Sequence, residues 1–350
     1  MTKGITRTIG TQFTAPIDDA AEDDVFARVG LIVGRSPAMR GIAAMVRQVA
    51  AVSRPATTVL LQGETGTGKD VIARAIHLLS ARAGYQFVAL NCAALPETLF
   101  ETELFGAEAG AFTDAKATRE GYLLRADGGT LFLDEIGAMS LNAQAKLLRF
   151  LESRSFRRVG GMKEMHVDLR VIASTNTDLK TAVAQKLFRE DLFYRLQVIT
   201  LTLTPLRERP EDIGVLISHF LRASQAKNSS AVQVSDEAMQ LLLRYSWPGN
   251  VRQLLGVIQR AQIVCDGQVI RPRDLPDEVR RAESSTLIRL REMQERLELP
   301  SEGIDVPAFM QTIERKFIQQ ALERCHGNQV QAAALLHLTR DQLRYRLSHL

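Results

Sequence analysis

From about residue 29 to 204 the chain alternates between two hydrophobic periods. Short apolar runs, TTVLLQ, QFVALN, GTLFLDEI and DLRVIAST, are separated by segments such as DVIARAIHLLS and NAQAKLLRFLES. Within DVIARAIHLL, Val71, Ile72, Ala75, Ile76 and Leu79 fall at i, i+1, i+4, i+5 and i+8, one face of a helix. This alternation predicts an α/β fold, a parallel sheet covered by helices on both faces. After Pro205 the β-runs stop. RPEDIGVLISHFLRASQ, SDEAMQLLLRYS and NVRQLLGVIQRAQIV read as three helices, the second opening at Ser235, which predicts a helical subdomain over 205–270. Residues 271–305 are rich in charge and proline and read as a linker with one exposed helix at most. Residues 1–28 lack apolar periodicity and carry Asp18, Asp19, Glu22, Asp23 and Asp24, as in a mobile tail.

A second unit, small and all-α, is predicted over 306–350. Phe309, Met310, Ile313, Phe317, Ile318 and Leu322 lie at helical spacing, and Gly327-Asn328 ends that helix. Two short helices follow, the second opened by a Thr339-Arg-Asp-Gln342 capping box. Leu343, Leu347 and Leu350 are expected inside, leaving Arg340, Arg344 and Tyr345 outward at the start of a helix, where helix-turn-helix proteins read the major groove. A plain three-helix bundle with a solvated basic face carries the same pattern.

Composition narrows the classes. No apolar run in the 350 residues approaches the ~20 needed to cross a bilayer, and the N-terminus has no apolar h-region, so no membrane contact and a cytoplasmic location are expected. Cys92, Cys265 and Cys325 stand in no CxxC spacing, which excludes a zinc site or disulfide framework and leaves inert thiols. The net charge of +4 is too small to indicate a nucleic-acid partner, but residues 306–350 carry six basic against three acidic side chains.

The strongest chemical signal is Gly63-Glu64-Thr65-Gly66-Thr67-Gly68-Lys69-Asp70, placed between the strand VLLQ and an amphipathic helix. Glycines there let backbone amides converge on phosphate oxygens, and Lys69 adds a point charge. Asp70 stands where a Ser or Thr hydroxyl usually binds Mg²⁺, so the ion must lean on water and on a nearby acid. Leu131-Phe-Leu-Asp134-Glu135 supplies it, an apolar strand ending in two carboxylates that are costly to bury unpaired. Asp134 is expected to hold Mg²⁺ and Glu135 to polarise the water attacking the γ-phosphate of ATP. Asn176 ends another β-run and would bring an amide near that phosphate, or close an Asx turn. Arg189 and Arg195 are either surface charges or arginines offered to a neighbour's nucleotide.

Together these residues resemble the AAA+ P-loop domain of bacterial enhancer-binding proteins, the activators of RNA polymerase carrying sigma-54. The resemblance runs from about Leu31 to Ile270, an α/β ATPase core over 29–204 and a helical lid over 205–270, with more at the C-terminus. Its most specific element is Glu103-Leu-Phe-Gly-Ala-Glu-Ala-Gly110-Ala-Phe-Thr-Asp-Ala115, which looks like the family's ELFGxxxGAFTGA loop. The resemblance implies that Phe112 and Thr113 touch sigma-54; Asp114 replaces a glycine of the pattern, which motivates a rival reading as a repressor with the same fold. It implies that Asn91 holds the catalytic Glu135, that Asn176 and Arg252 sense nucleotide, that Gly34 lies by the adenine, and that Arg189 and Arg195 act across a subunit interface. A homo-oligomer follows, a hexamer when active and a dimer at rest. Gln253 replaces a usual Glu. Residues 306–350 resemble the Fis-type helix-turn-helix of the same activators, which implies binding to double-stranded DNA at upstream sites through Arg340, Arg344 and Tyr345. With only residues 1–28 ahead of the ATPase, control is expected from expression level or a regulatory protein in trans. A different ATP-driven DNA machine, such as a helicase loader, lacks the GAFTDA loop.

Overall fold

A computed structural model describes residues 26, 29–52, 57–111, 117–223, 232–266, 268–281, 304–325, 327–336 and 338–349. Among these residues nine strands appear: β1 (Val59–Gln62), β2 (Phe87–Asn91), β3 (Thr130–Asp134), β4 (Ser155–Arg157), β5 (Glu164–His166), β6 (Arg170–Thr175), β7 (Ile199–Thr202), β8 (Gln233–Val234) and β9 (Val269–Ile270). Five of them form one parallel sheet in the order β2-β3-β6-β1-β7. The fold is thus the α/β arrangement expected, with β7 as a strand the hydrophobic runs did not pick out. The sequence ITLT is too short and too polar to stand out alone, and it becomes a strand by pairing with β1 along Val59–Gln62.

Side chains alternate between the faces of this sheet. Val59, Leu61, Phe132 and Ile172 face one core with α1 (Pro37–Ala50) and α2 (Lys69–Leu78). Leu60, Leu131, Leu133, Val171 and Ala173 face a second core. That core is closed by α3 (Glu97–Phe105), α4 (Tyr122–Arg125), α5 (Leu141–Ser153), α6 (Leu179–Ala184) and α7 (Glu190–Leu196). A strand buried on both faces needs apolar residues at every position, which is why these runs are continuous. Phe26 lies in the first core, 2% exposed, so the expected free tail over 1–28 is anchored at least there.

The lid comprises α8 (Ile213–Ala223), α9 (Asp236–Arg244), α10 (Asn250–Val264) and α11 (Asp277–Arg280) around Trp247. Ser235 caps α9, accepting from the Ala238 amide. Two features differ from expectation. A two-residue parallel pair, β8 with β9, ties the segment before α9 to the segment after α10, and Leu275 and Val279 are buried in the lid core, so lid packing continues past residue 270 into the expected linker. The exposed helix expected in the rest of that linker falls at 282–303, outside the described residues.

The C-terminal unit holds α12 (Val306–Arg324), α13 (Gln329–Leu335) and α14 (Arg340–His349) around Ile318, Ala321, Ala332, Ala333 and Leu343. Gly327, at φ 81°, turns the chain after α12 and donates its amide to Leu322 O at 2.8 Å. The Thr339–Gln342 box is reciprocal, with Thr339 N to Gln342 Oε1 at 2.9 Å and Gln342 N to Thr339 Oγ1 at 3.2 Å. One expectation fails: Leu343 is buried but Leu347 is 36% exposed, because the α13–α14 packing is too short to reach the last turn. Leu350 lies outside the described residues.

Candidate functional site

The loop Gly63–Gly68 joins the carboxyl end of β1 to the first turn of α2. Gly68 sits at φ 99°, and a Cβ there would meet nothing within 4 Å, so the mouth of the loop is open. Lys69 begins the helix and donates from Nζ to Gly63 O at 2.8 Å and Glu64 O at 2.9 Å. Thr67 Oγ1 also donates to Glu64 O, at 2.8 Å. Burial lowers the Lys69 pKa, while the carboxylates of Asp134 and Glu135 act against that shift. A buried ammonium, a helix N-terminus and glycine-framed amides together make an anion site. Asp70 is exposed in the first helical turn.

Beside the loop, β3 ends in Asp134. Its Oδ1 accepts a short hydrogen bond from Ser174 Oγ on β6, and its Oδ2 lies 3.4 Å from Asn91 Nδ2. Register explains the second contact: Asn91 is directly opposite Asp134 across the β2–β3 ladder. The resemblance implied a link from Asn91 to Glu135, whereas the amide here reaches Asp134 instead. The Asn91 carbonyl is occupied by the amides of Ala93 and Ala94. Glu135 is left-handed at φ 55°, a strained backbone for a non-glycine residue, and its amide donates to Ser174 Oγ at 3.3 Å. Ser174 was not singled out in the sequence; its signal was a hydroxyl, next to that of Thr175, at the end of the run RVIAST. Cys92, buried behind these acids, is pushed up to about 12 by burial and by the two carboxylate charges. Among the described residues no three His, Cys, Asp or Glu side chains form a group that could by itself hold a metal ion. Two carboxylates and a serine hydroxyl fit a hard cation that keeps most of its water, such as Mg²⁺.

Asn176, after β6, donates from Nδ2 to Thr65 Oγ1 at 3.0 Å and so stands over the loop. From the opposite side comes the lid. The Val251 and Arg252 amides in the first turn of α10 both donate to Gly66 O, at 2.9 and 3.3 Å. Glu64 accepts two hydrogen bonds from Arg207, at 2.6 and 2.8 Å, and one from Asn250 Nδ2 at 3.1 Å. The Arg207 hydrogen bond lowers the Glu64 pKa more than burial raises it. Arg207 and Asn250 are site residues the sequence did not flag, since nothing local marks a partner far along the chain. Gln253 accepts from the Gly249 amide and donates to the Tyr245 hydroxyl, bracing the same helix start. Gly34 is buried against the lid: a Cβ would lie 2.1 Å from Asp212 Oδ1, the carboxylate that also holds Ser36.

The two arginines lie elsewhere. Arg189 is exposed, caps α7 by position and pairs with Asp191 at 2.7 Å. Arg195 donates from Nη2 to Leu151 O, and its own carbonyl accepts from Thr58 at the amino end of β1. The phosphate loop leaves the carboxyl end of that strand, roughly 13 Å away at strand rise. The loop-tip residues Phe112 and Thr113, with Asp114, lie outside the described residues. In the C-terminal unit Arg340, Arg344 and Tyr345 are exposed on α14.

Comparison with known proteins gives three family matches in chain order. Residues 32–202 match the sigma-54 interaction domain, 207–289 the AAA+ ATPase lid domain, and 309–350 the Fis family of bacterial regulatory proteins. The chain is 45% identical over 320 residues to the regulatory protein AtoC of Escherichia coli strain K12, covering 91% of this chain and 67% of AtoC. It is 43% identical over 331 residues to the transcriptional regulatory protein ZraR of the same strain, covering 94% and 71%. Among solved structures, NtrX from Brucella abortus in complex with ATP superposes with a TM-score of 0.65 at 30% identity, covering 94% of this chain and 71% of that one. NtrX in complex with ADP gives 0.68 at 30% identity, covering 95% and 72%.

Proposed function

The chain belongs to the sigma-54-dependent transcriptional activators, AAA+ ATPases with a Fis-type helix-turn-helix, and on that premise we propose a division of labour among its residues. The observation that carries it is the convergence of the Gly63–Lys69 loop, the Asp134–Glu135 pair and the first turn of α10 at one edge of the parallel sheet. Gly66 and Gly68 present amides to the ATP phosphates, Gly63, Glu64, Thr65, Thr67 and Asp70 complete the loop, and Lys69 sets its charge against them. Asp134, with Ser174 orienting it, would hold Mg²⁺ through water, and the ion would neutralise developing charge on the phosphates when bound. Glu135 takes the proton of the attacking water, and Asn91 keeps the neighbouring acid in place. Asn176 and Arg252 reach the phosphates from either side, and Gly34 leaves room for the base.

Arg195 is tied to the amino ends of the strands, opposite its own loop, so it cannot serve its own nucleotide. That geometry supports Arg189 and Arg195 acting on a neighbouring subunit's ATP in a ring, a hexamer when active. Met310 and Phe317, exposed on α12, support pairing of the C-terminal units in a resting dimer. Arg340, Arg344 and Tyr345 enter the major groove of upstream DNA, Phe112 and Thr113 contact sigma-54, and hydrolysis remodels the closed polymerase complex in the cytoplasm.

Permanganate footprinting at a sigma-54 promoter, at high activator concentration, tests this reading. Melting is expected with ATP and the wild type, and not with Lys69→Ala. Hydrolysis without melting would overturn the activator role and favour a repressor.

A further inference from the structure

One residue of the phosphate loop faces two ways. Through its main chain, Glu64 O accepts from Lys69 Nζ at 2.9 Å and Thr67 Oγ1 at 2.8 Å, so it lies beneath the lysine that meets phosphate. Its side chain points out of the loop, to a two-pronged bond with Arg207 and a third from Asn250. Arg207 belongs to the chain entering the lid, and its neighbour Leu206 is buried in the lid core. The adjacent acid Glu208 lies 3.8 Å from the same guanidinium, so an Arg207 that leaves Glu64 still has a partner.

Asn250 completes the joint. It is fully buried and left-handed at φ 51°, a conformation that costs energy in any residue with a side chain. Every polar atom of its amide is used: Nδ2 donates to Glu64 Oε2 and Thr65 O at 3.1 Å each, and Oδ1 accepts from Leu206 N at 2.8 Å. The next two amides, of Val251 and Arg252, end on Gly66 O. The main chain that carries the Arg252 side chain is therefore bonded to the loop itself.

We propose that Arg207, through its bidentate bond to Glu64, is a positioning residue for hydrolysis. It locks the phosphate loop and the lid into one body and so fixes where Arg252 reaches. A loop displaced by nucleotide drags the Glu64 carboxylate, Arg207 and the first turn of α10 with it, and release of Arg207 to Glu208 loosens that coupling. This rests on the proposed role of Arg252 at the phosphates. The pair is partly exposed and contributes little to global stability, so its effect belongs in the rate.

The test is steady-state hydrolysis by the full chain carrying Arg207→Ala, Arg207→Lys, Glu64→Gln, Arg252→Ala or Arg207→Ala with Arg252→Ala, with ADP affinity measured alongside. Arg207→Ala and Glu64→Gln are expected to lower kcat by about 10–100-fold, the scale of an ångström's misplacement. ADP affinity of Arg207→Ala should change by less than about 3-fold, and kcat of Arg207→Lys, which pairs without the fork, should fall between. The double variant should hydrolyse no more slowly than Arg252→Ala alone, because Arg207 works through Arg252. A double variant whose loss is the product of the single losses overturns the proposal, as does wild-type kcat in both Arg207→Ala and Glu64→Gln. If Arg252→Ala itself keeps wild-type kcat, the role of Arg252 fails and takes this route with it. If only Arg252→Ala is impaired, the joint alone fails.

Discussion

Replacing Gly66 by alanine tests how closely the lid sits on the phosphate loop. Gly66 is left-handed at φ 80°, and a Cβ there would lie 2.3 Å from Gly249 O and 3.2 Å from Arg252 Cβ. Carbon–oxygen contacts below 3.0 Å are essentially never found, so the lid must retreat by about 0.7 Å or more. Gly249 is main chain and cannot rotate away. The retreat falls on the Gly66 O to Val251 N bond of 2.9 Å, which passes beyond hydrogen-bond range. A shift of that size at a group meeting the transition state is worth on the order of 10²-fold in rate. The backbone strain alone costs about 1–2 kcal/mol. Gly30→Ala supplies the control, since Gly30 is also left-handed, at φ 71°, with nothing within 4 Å of its Cβ. Both variants should lose a few degrees of Tm, while only Gly66→Ala loses hydrolysis. Phosphate release by a coupled assay, beside a thermal melt, separates the two effects. Wild-type kcat in a folded Gly66→Ala would refute the reasoning that the lid is docked on the loop.

Three further outcomes follow from burial and charge. His77 is buried against Thr130, and burial, helped by the charges of Arg170 and Arg74, depresses its pKa below the ordinary value despite an opposing backbone hydrogen bond. The unfolded chain therefore binds that proton more readily, and its stabilising share, complete above about pH 6.5, is lost as pH falls toward the folded value. Thermal melts from pH 7.5 down to 5.5 should show a shallower decline for His77→Gln than for the wild type; parallel declines would count against it. Phe26→Ala should cost about 3 kcal/mol in urea unfolding, as for a core aromatic, where a free tail would cost nothing. Arg344→Ala should abolish specific binding in a gel shift and leave hydrolysis intact, and wild-type binding should weaken steeply with salt; unchanged binding by the variant would remove α14 from the groove.

Much of the molecule was legible because its signals are local. The short continuous runs VLLQ and RVIAST, the glycines and lysine between a strand and a helix, and the Thr339–Gln342 box each act within a few residues, and the fold follows them. The strand ITLT and the hairpin β4–β5 escaped notice because four- and three-residue strands carry too little periodicity. Only tertiary structure decided the rest. The partners of Glu64 lie 143 and 186 positions away, and it is the sheet that brings Asn91 to Asp134 by its strand order and leaves Arg195 at the amino ends of the strands by their direction. Periodicity fixes which side of an element is apolar, whereas the order in which elements stack sets which polar groups meet. That order depends on how whole apolar faces pack together, a property no single segment holds.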